Sequence, residues 1–155
     1  MIKIKFILYT SIFSLLISCS SYEKYEKNKV FYNDPAIFHE SMQKLTDVIV
    51  YDIFSPPVAS RIYVYPTIAA YEILINQHPN FKSLTGKIKG LDKIPLPDPD
   101  LEYSFPLASI HAFLEVGKDL IFSEEKVTEY QKELMSELKE LGIPKEIYNR
   151  YKEKV

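Results

Sequence analysis

The stretch from Val58 to Ile75 sets the terms for the rest of the chain. It reads VASRIYVYPTIAAYEILI, and Arg61 and Glu72 are its only charged residues. So apolar a segment must be buried on nearly every side, and other elements have to pack around it. Ser55-Pro56-Pro57 stands directly in front. A residue before proline is pushed out of the helical region and proline lacks an amide donor, so this triplet ends whatever precedes it; it also suits a helix start, with Ser55 as cap. Pro66 predicts a kinked helix or two helices meeting near Tyr65. The β-branched content would also allow a strand.

The neighbouring segments read as helices. Asp34 can cap a helix that opens on Pro35, and Phe38, Met42, Leu45 and Ile49 follow at helical steps as far as about Ile53. Residues 76–103 carry Pro79, Gly86, Gly90, Pro95, Pro97 and Pro99 without a sustained period, which predicts a long loop with a short helical turn at Asn80 to Lys87. Leu107, Ile110, Leu114, Gly117 and Ile121 mark a third helix from about Pro106 to Phe122. A fourth follows Ser123, a candidate cap, with Glu124 and Glu125 in its first turn. Val127, Tyr130, Leu134, Leu138 and Leu141 form its inner face, and Gly142 is its stop. Pro144 opens a fifth, whose stripe of Ile147, Tyr151 and Val155 is still running at the last residue. The expected fold is therefore all-α: about five helices and one long proline-rich loop.

Composition removes several function classes. With 19 Lys and Arg against 21 Asp and Glu the formal charge is -2, so there is no cation surplus to displace counterions from phosphates and no nucleic-acid partner is expected. Four scattered glycines cannot form a phosphate-cradling loop, and one cysteine can build neither an internal disulfide nor a multi-cysteine zinc site.

That cysteine has a different context. Lys3 and Lys5 precede a mostly apolar run from Phe6 to Ile17, shorter than the roughly 20 residues of a spanning helix. The run ends in Leu16-Ile17-Ser18-Cys19, which resembles a bacterial lipobox. The resemblance implies a signal peptide over residues 1–18, lipid modification of Cys19, and an exported protein anchored to a membrane, in the periplasm or outer membrane. Residues 19–33, largely polar, read as a tether, and residues 34–155 as a helical segment that forms an incomplete domain.

Catalytic signals are sparse. His39, His78 and His111 show no HxxxH spacing, so surface or internally satisfied histidines are expected and no metal site. There is no Gly-x-Ser-x-Gly elbow. Arg61, one of only two arginines, sits in the apolar stretch and needs a partner, for which Asp47, Asp52 and Glu72 qualify. Asp52, Arg61 and Glu72 are thus candidates for a structural ion pair or for the lining of a pocket.

Three segments carry a family resemblance: DIFSPPVASRIYVYPTIAAYEIL from Asp52, LASIHAFLEVGKDLIFSEEKV from Leu107, and GIPKEIYNR from Gly142. They resemble the N-terminal part of bacterial lipoproteins in the PAP2 superfamily, which is similar to vanadium-dependent haloperoxidases and type 2 phosphatidic acid phosphatases. The resemblance implies helices that pack against a C-terminal catalytic bundle. In that family catalysis uses a lysine motif ending in Arg-Pro, a Pro-Ser-Gly-His motif, and a third motif that opens Ser-Arg and continues to a histidine and an aspartate. This chain has no Arg-Pro pair and no Ser-Gly-His, and behind Ser60-Arg61 the histidine position is Thr67. The expectation is a segment with no catalytic residue of its own, for which vanadate or phosphate would be a cofactor only together with a C-terminal catalytic bundle, its implied partner. The alternative expectation is a small, complete, lipid-anchored interaction module.

Overall fold

Local sequence starts and stops each helix. In a computed structural model, residues 23–24, 26–147 and 150 are described. The leader, Cys19, Tyr151 and Val155 lie outside them. Helix α1 (Pro35–Tyr51) begins where Asp34 Oδ1 accepts the amide of Ala36 at 2.8 Å, as the Asp-Pro pair predicts. Helix α2 (Pro56–Leu74) opens on the proline pair, runs through the buried Pro66 as one helix, and passes into a 3-10 turn, Ile75–Gln77. Helix α3 is Phe105–Lys118 and helix α4 is Glu124–Glu140. Residues 26–32 and 145–147 are helical as well, and no strand occurs among the described residues.

Two helices end the same way, on different residues. At the end of α4, Gly142 takes φ +91° while its amide reaches Lys139 O and the amide of Ile143 reaches Leu138 O. At the end of α1, Ile53 takes φ +56°, with its amide on Val50 O and that of Phe54 on Ile49 O. Both are Schellman stops. Glycine fits the left-handed position without cost, whereas a β-branched side chain there costs roughly 1–2 kcal/mol. The stop at Ile53 is forced by Ser55 and the two prolines behind it, which need an extended chain.

Helix α3 is the centre of the packing. It makes its largest contact with α2, and α1 and α4 also pack on it. Leu107, Ile110, Leu114, Gly117 and Ile121 are all buried as their spacing predicts, but so are Ala108, Ser109, His111, Ala112 and Phe113. Gly117 admits α1 closely: a Cβ there would lie 3.3 Å from both methyls of Leu45. On α1 the buried residues are Ile37, Ser41, Leu45, Val48 and Ile49, so Leu45 and Ile49 are buried as predicted, while Phe38 and Met42 are half-buried beside Ile37 and Ser41.

All-round burial therefore falls on α3, not on the 58–75 stretch. Helix α2 buries Ile62, Pro66 and Ala70, but the opposite side carries Arg61, Val64 and Tyr65, with Val64 and Tyr65 about half exposed at 50% and 49%. Residues 26–32, read as tether, instead wind into a helix docked on the end of α4. Tyr32 is buried, Asn28 Nδ2 donates to Leu141 O at 2.8 Å, and Lys24 Nζ donates to Glu140 O. The helical turn of the long loop falls at the end of the expected 80–87 segment, at residues 84–88, where the amides of Lys87 and Ile88 both reach Leu84 O.

The Ile53 stop yields a direct expectation. Its side chain is 88% exposed, so Ile53→Gly forfeits little burial and relieves the left-handed strain, net of glycine's greater freedom in the unfolded chain. Chemical denaturation should show a gain of up to about 1 kcal/mol; a loss of stability would mean that the isoleucine side chain is held by packing.

Candidate functional site

The three residues expected to form an ion pair or line a pocket are assigned to three separate tasks. Asp52, just past α1, turns its carboxylate to the start of α4. Oδ2 accepts the amides of Phe122 and Ser123 at 2.9 and 3.0 Å, and Oδ1 accepts the Ser123 hydroxyl at 2.6 Å. Ser123 makes no capping bond with its own side chain, so Asp52 holds the α4 N-terminus from across the fold, where a negative charge is favoured. Burial alone would raise the Asp52 carboxyl, but the bonds from Ser123 and Phe122, with Lys126 nearby, outweigh it and hold the group below the usual aspartate range.

Glu72 is only 5% exposed and serves the loop. Its Oε2 accepts the Ser83 hydroxyl and its Oε1 the Leu84 amide, both at 2.7 Å, while Tyr71 one position earlier donates its hydroxyl to Lys82 O. The proline-rich loop is thus pinned across the C-terminal half of α2. Arg61 remains exposed on the outer side of the N-terminal half, and no salt bridge to it occurs among the described residues. The predicted ion pair does not form because backbone amides and hydroxyls take both carboxylates first. Asp47, the other candidate, is exposed and accepts from Gln43 Nε2 at 2.8 Å.

A polar cluster that no sequence motif singled out lies between α3 and α4. Gln131 Nε2 sits 2.6 Å from His111 Nδ1 and donates to Glu115 Oε1 at 2.8 Å; Lys118 Nζ reaches Glu115 Oε1 at 2.7 Å and Gln131 Oε1 at 3.1 Å. Burial pushes the Glu115 carboxyl up, but the bonds from Lys118 and Gln131 prevail and lower it. A signal was present: His111, Glu115 and Lys118 are spaced by steps of four and three on one helix. A cleft of about 480 Å³ opens beside them, lined also by Lys132 and Lys139.

A second concavity, of about 540 Å³, is almost wholly apolar. The start of α1, the C-terminal half of α2 and the start of α3 form its walls, with His39 and His78 among the lining residues. Both histidines are exposed, and among the described residues no group of three or more His, Cys, Asp or Glu converges to hold a metal ion.

An oxyanion such as vanadate or phosphate needs several cationic and donor groups converging on one point. Among the described residues the two arginines do not converge on such a point, and the cleft lined by Lys118, Lys132 and Lys139 holds the Glu115 carboxylate. Arg61 lies on the outer side of α2, Arg150 donates Nη1 to Glu102 O at 2.7 Å, and Lys118 and His111 are gathered around the Glu115 carboxylate. Among the described residues no helix is long and apolar enough to cross a membrane.

The Asp52 geometry fixes a pH dependence. A carboxyl lowered in the folded state stabilises the fold above its unfolded value, near pH 4, and that contribution is lost as pH falls through the lower folded value. Asp52→Asn should cost about 1 kcal/mol at neutral pH. In denaturation series from pH 7 to pH 2 the gap between the two proteins should close at the acid end; a gap independent of pH would contradict the charged cap.

No protein-family model and no curated protein matches the chain. Among solved structures it is similar to one titled "Crystal structure of the first bacterial vanadium dependant iodoperoxidase", at 36% identity and a TM-score of 0.71. The match covers 76% of this chain and 28% of the iodoperoxidase chain. In sequence and in its all-helical fold, the protein is thus related to part of a vanadium-dependent haloperoxidase.

Proposed function

We propose that this chain is the helical bracing segment of an exported, lipid-anchored protein of vanadium-haloperoxidase type, and that it supports a catalytic bundle without carrying the chemistry itself. The observation that carries this reading is the lopsided match: most of the chain is used, against little more than a quarter of the iodoperoxidase. The missing Arg-Pro and Ser-Gly-His pairs agree with it. The outer side of α2 is the surface we assign to the bundle. Val58, Arg61, Val64 and Tyr65 lie exposed there, on a helix too apolar for solvent. Relation to an iodoperoxidase favours halide oxidation over phosphate-ester hydrolysis as the chemistry of the assembled protein.

Reconstitution tests the bracing role. The chain alone, given vanadate, peroxide and iodide, should form triiodide no faster than buffer. Added to the separately expressed remainder of the iodoperoxidase chain, it should bind and raise turnover, and Tyr65→Asp should weaken that binding by about tenfold or more. Iodide oxidation by the chain alone, or failure to associate, would overturn the proposal.

The anchor rests on Leu16-Ile17-Ser18-Cys19 behind a lysine-led apolar run. In a bacterial host the chain should sediment with membranes and incorporate labelled fatty acid, and Cys19→Ala should abolish the labelling. Membrane association without acyl label would reject a lipid anchor.

A further inference from the structure

We propose that the contact between His111 of α3 and Gln131 of α4 is an acid-sensitive latch, made while the imidazole is neutral and exchanged on protonation for an ion pair within α3.

The amide of Gln131 has one workable orientation. Its Oε1 faces Lys118 Nζ at 3.1 Å, and its Nε2 faces Glu115 Oε1 at 2.8 Å. An ammonium group only donates and an ionised carboxylate only accepts, so a flipped amide would set donor against donor and oxygen against oxygen. One hydrogen of Nε2 therefore belongs to Glu115, and the other is left for His111 Nδ1, 2.6 Å away. Nδ1 can take it only with a bare lone pair. The ring is then neutral and carries its proton on Nε2.

A second proton has no place in this arrangement. On an imidazolium both nitrogens donate, and Nδ1–H would be set against the Gln131 N–H. Both side chains are buried, at 7% and 8% exposure, so water does not separate the two donors without cost. Glu115 supplies the alternative, because its Oε1 lies 3.7 Å from His111 Nδ1, four positions further along α3. A protonated His111 takes that oxygen, and Gln131 gives it up. The bond that is lost joins α3 to α4, whereas the one that is gained lies within α3 alone.

The surrounding charges set the direction of the response. Glu115 and Lys118 of α3 and Lys132 and Lys139 of α4 line the cleft with His111, three cations to one anion, and no residue of α1 or α2 lines it. Imidazolium is thus welcome only in the pair with Glu115. Bonds from Lys118 and Gln131 hold the Glu115 carboxyl below its usual range, so it stays ionised while the imidazole titrates. Asp52 is likewise held low and keeps the start of α4 in place. Release is therefore confined to the part of the seam around Gln131.

Nuclear magnetic resonance of the full chain tests the latch, with the exposed His39 and His78 as internal references. At pH 7.5 His111 should be the Nε2–H tautomer. Between pH 7.5 and 5.5 the side-chain amide signals of Gln131 should move with the same midpoint as the His111 ring. Hydrogen exchange of the α4 amides around Gln131, corrected for the intrinsic effect of pH, should rise about fivefold over that range, as expected for the loss of one interhelical bond. Gln131→Met, of similar shape and unable to make the bond, should exchange fast at both pH values. Glu115→Gln removes the ion pair and should move the His111 midpoint to lower pH. An Nδ1–H tautomer at pH 7.5, a Gln131 amide that does not follow His111, α4 exchange unaffected by pH in the unaltered chain, or an unmoved midpoint in folded Glu115→Gln would each overturn the proposal.

Discussion

Helix α3 can stand at the centre of the fold only because its polar side chains are satisfied before they are buried. Ser109 turns its hydroxyl back to Pro106 O, and His111 meets the Gln131 amide from α4. A buried donor or acceptor left without a partner costs about 1–3 kcal/mol, so two such residues unpaired would offset much of the margin of a small domain. With both paired, the helix offers its whole circumference to neighbours. Gly117 lets Leu45 of α1 approach, and the remaining small and aliphatic residues pack against α2 and α4.

Two carboxylates then tie the connecting segments to this centre. Asp52 reaches from the end of α1 to the start of α4, a link across 71 positions of sequence, and Glu72 secures the loop that leaves α2. Each replaces a contact that short-range sequence would normally supply. Ser123 gives its hydroxyl and amide to Asp52 instead of capping its own helix, and Glu72 takes the Leu84 amide of the loop. The outer side of α2 stays uncovered by these ties. In the function proposed above, that side is the seat of a larger bundle.

Much of the fold could be read from local chemistry. The Asp34-Pro35 start, the Ser55-Pro56-Pro57 break, the Gly142 stop and the α3 stripe of Leu107, Ile110, Leu114 and Gly117 are short-range signals, and each appears where expected, although α3 ends at Lys118, before the expected Phe122. Long-range partners could not be read in this way. Periodicity made α2 the most buried helix, since it counts apolar residues and cannot see that His111 and Ser109 would be satisfied or that Val64 and Tyr65 would lack a neighbour. The Ile53 stop was hidden for a similar reason, as no isoleucine announces a left-handed turn. For the candidate site, the residue types were legible and their pairing was not. Arg61, Asp52 and Glu72 were singled out by charge in an apolar setting, yet backbone amides claimed both acids. The groove combines residues from distant parts of the chain, so no local pattern marks it.

Whether the outer side of α2 is an interface can be measured with a photo-activatable phenylalanine at position 65, in the chain mixed with the remainder of the iodoperoxidase. A bracing surface there gives a cross-link between the two polypeptides from position 65 and none from a matched probe at Glu133, which is exposed on α4. Equal cross-linking from both positions, or none from position 65 while the polypeptides associate, would contradict it.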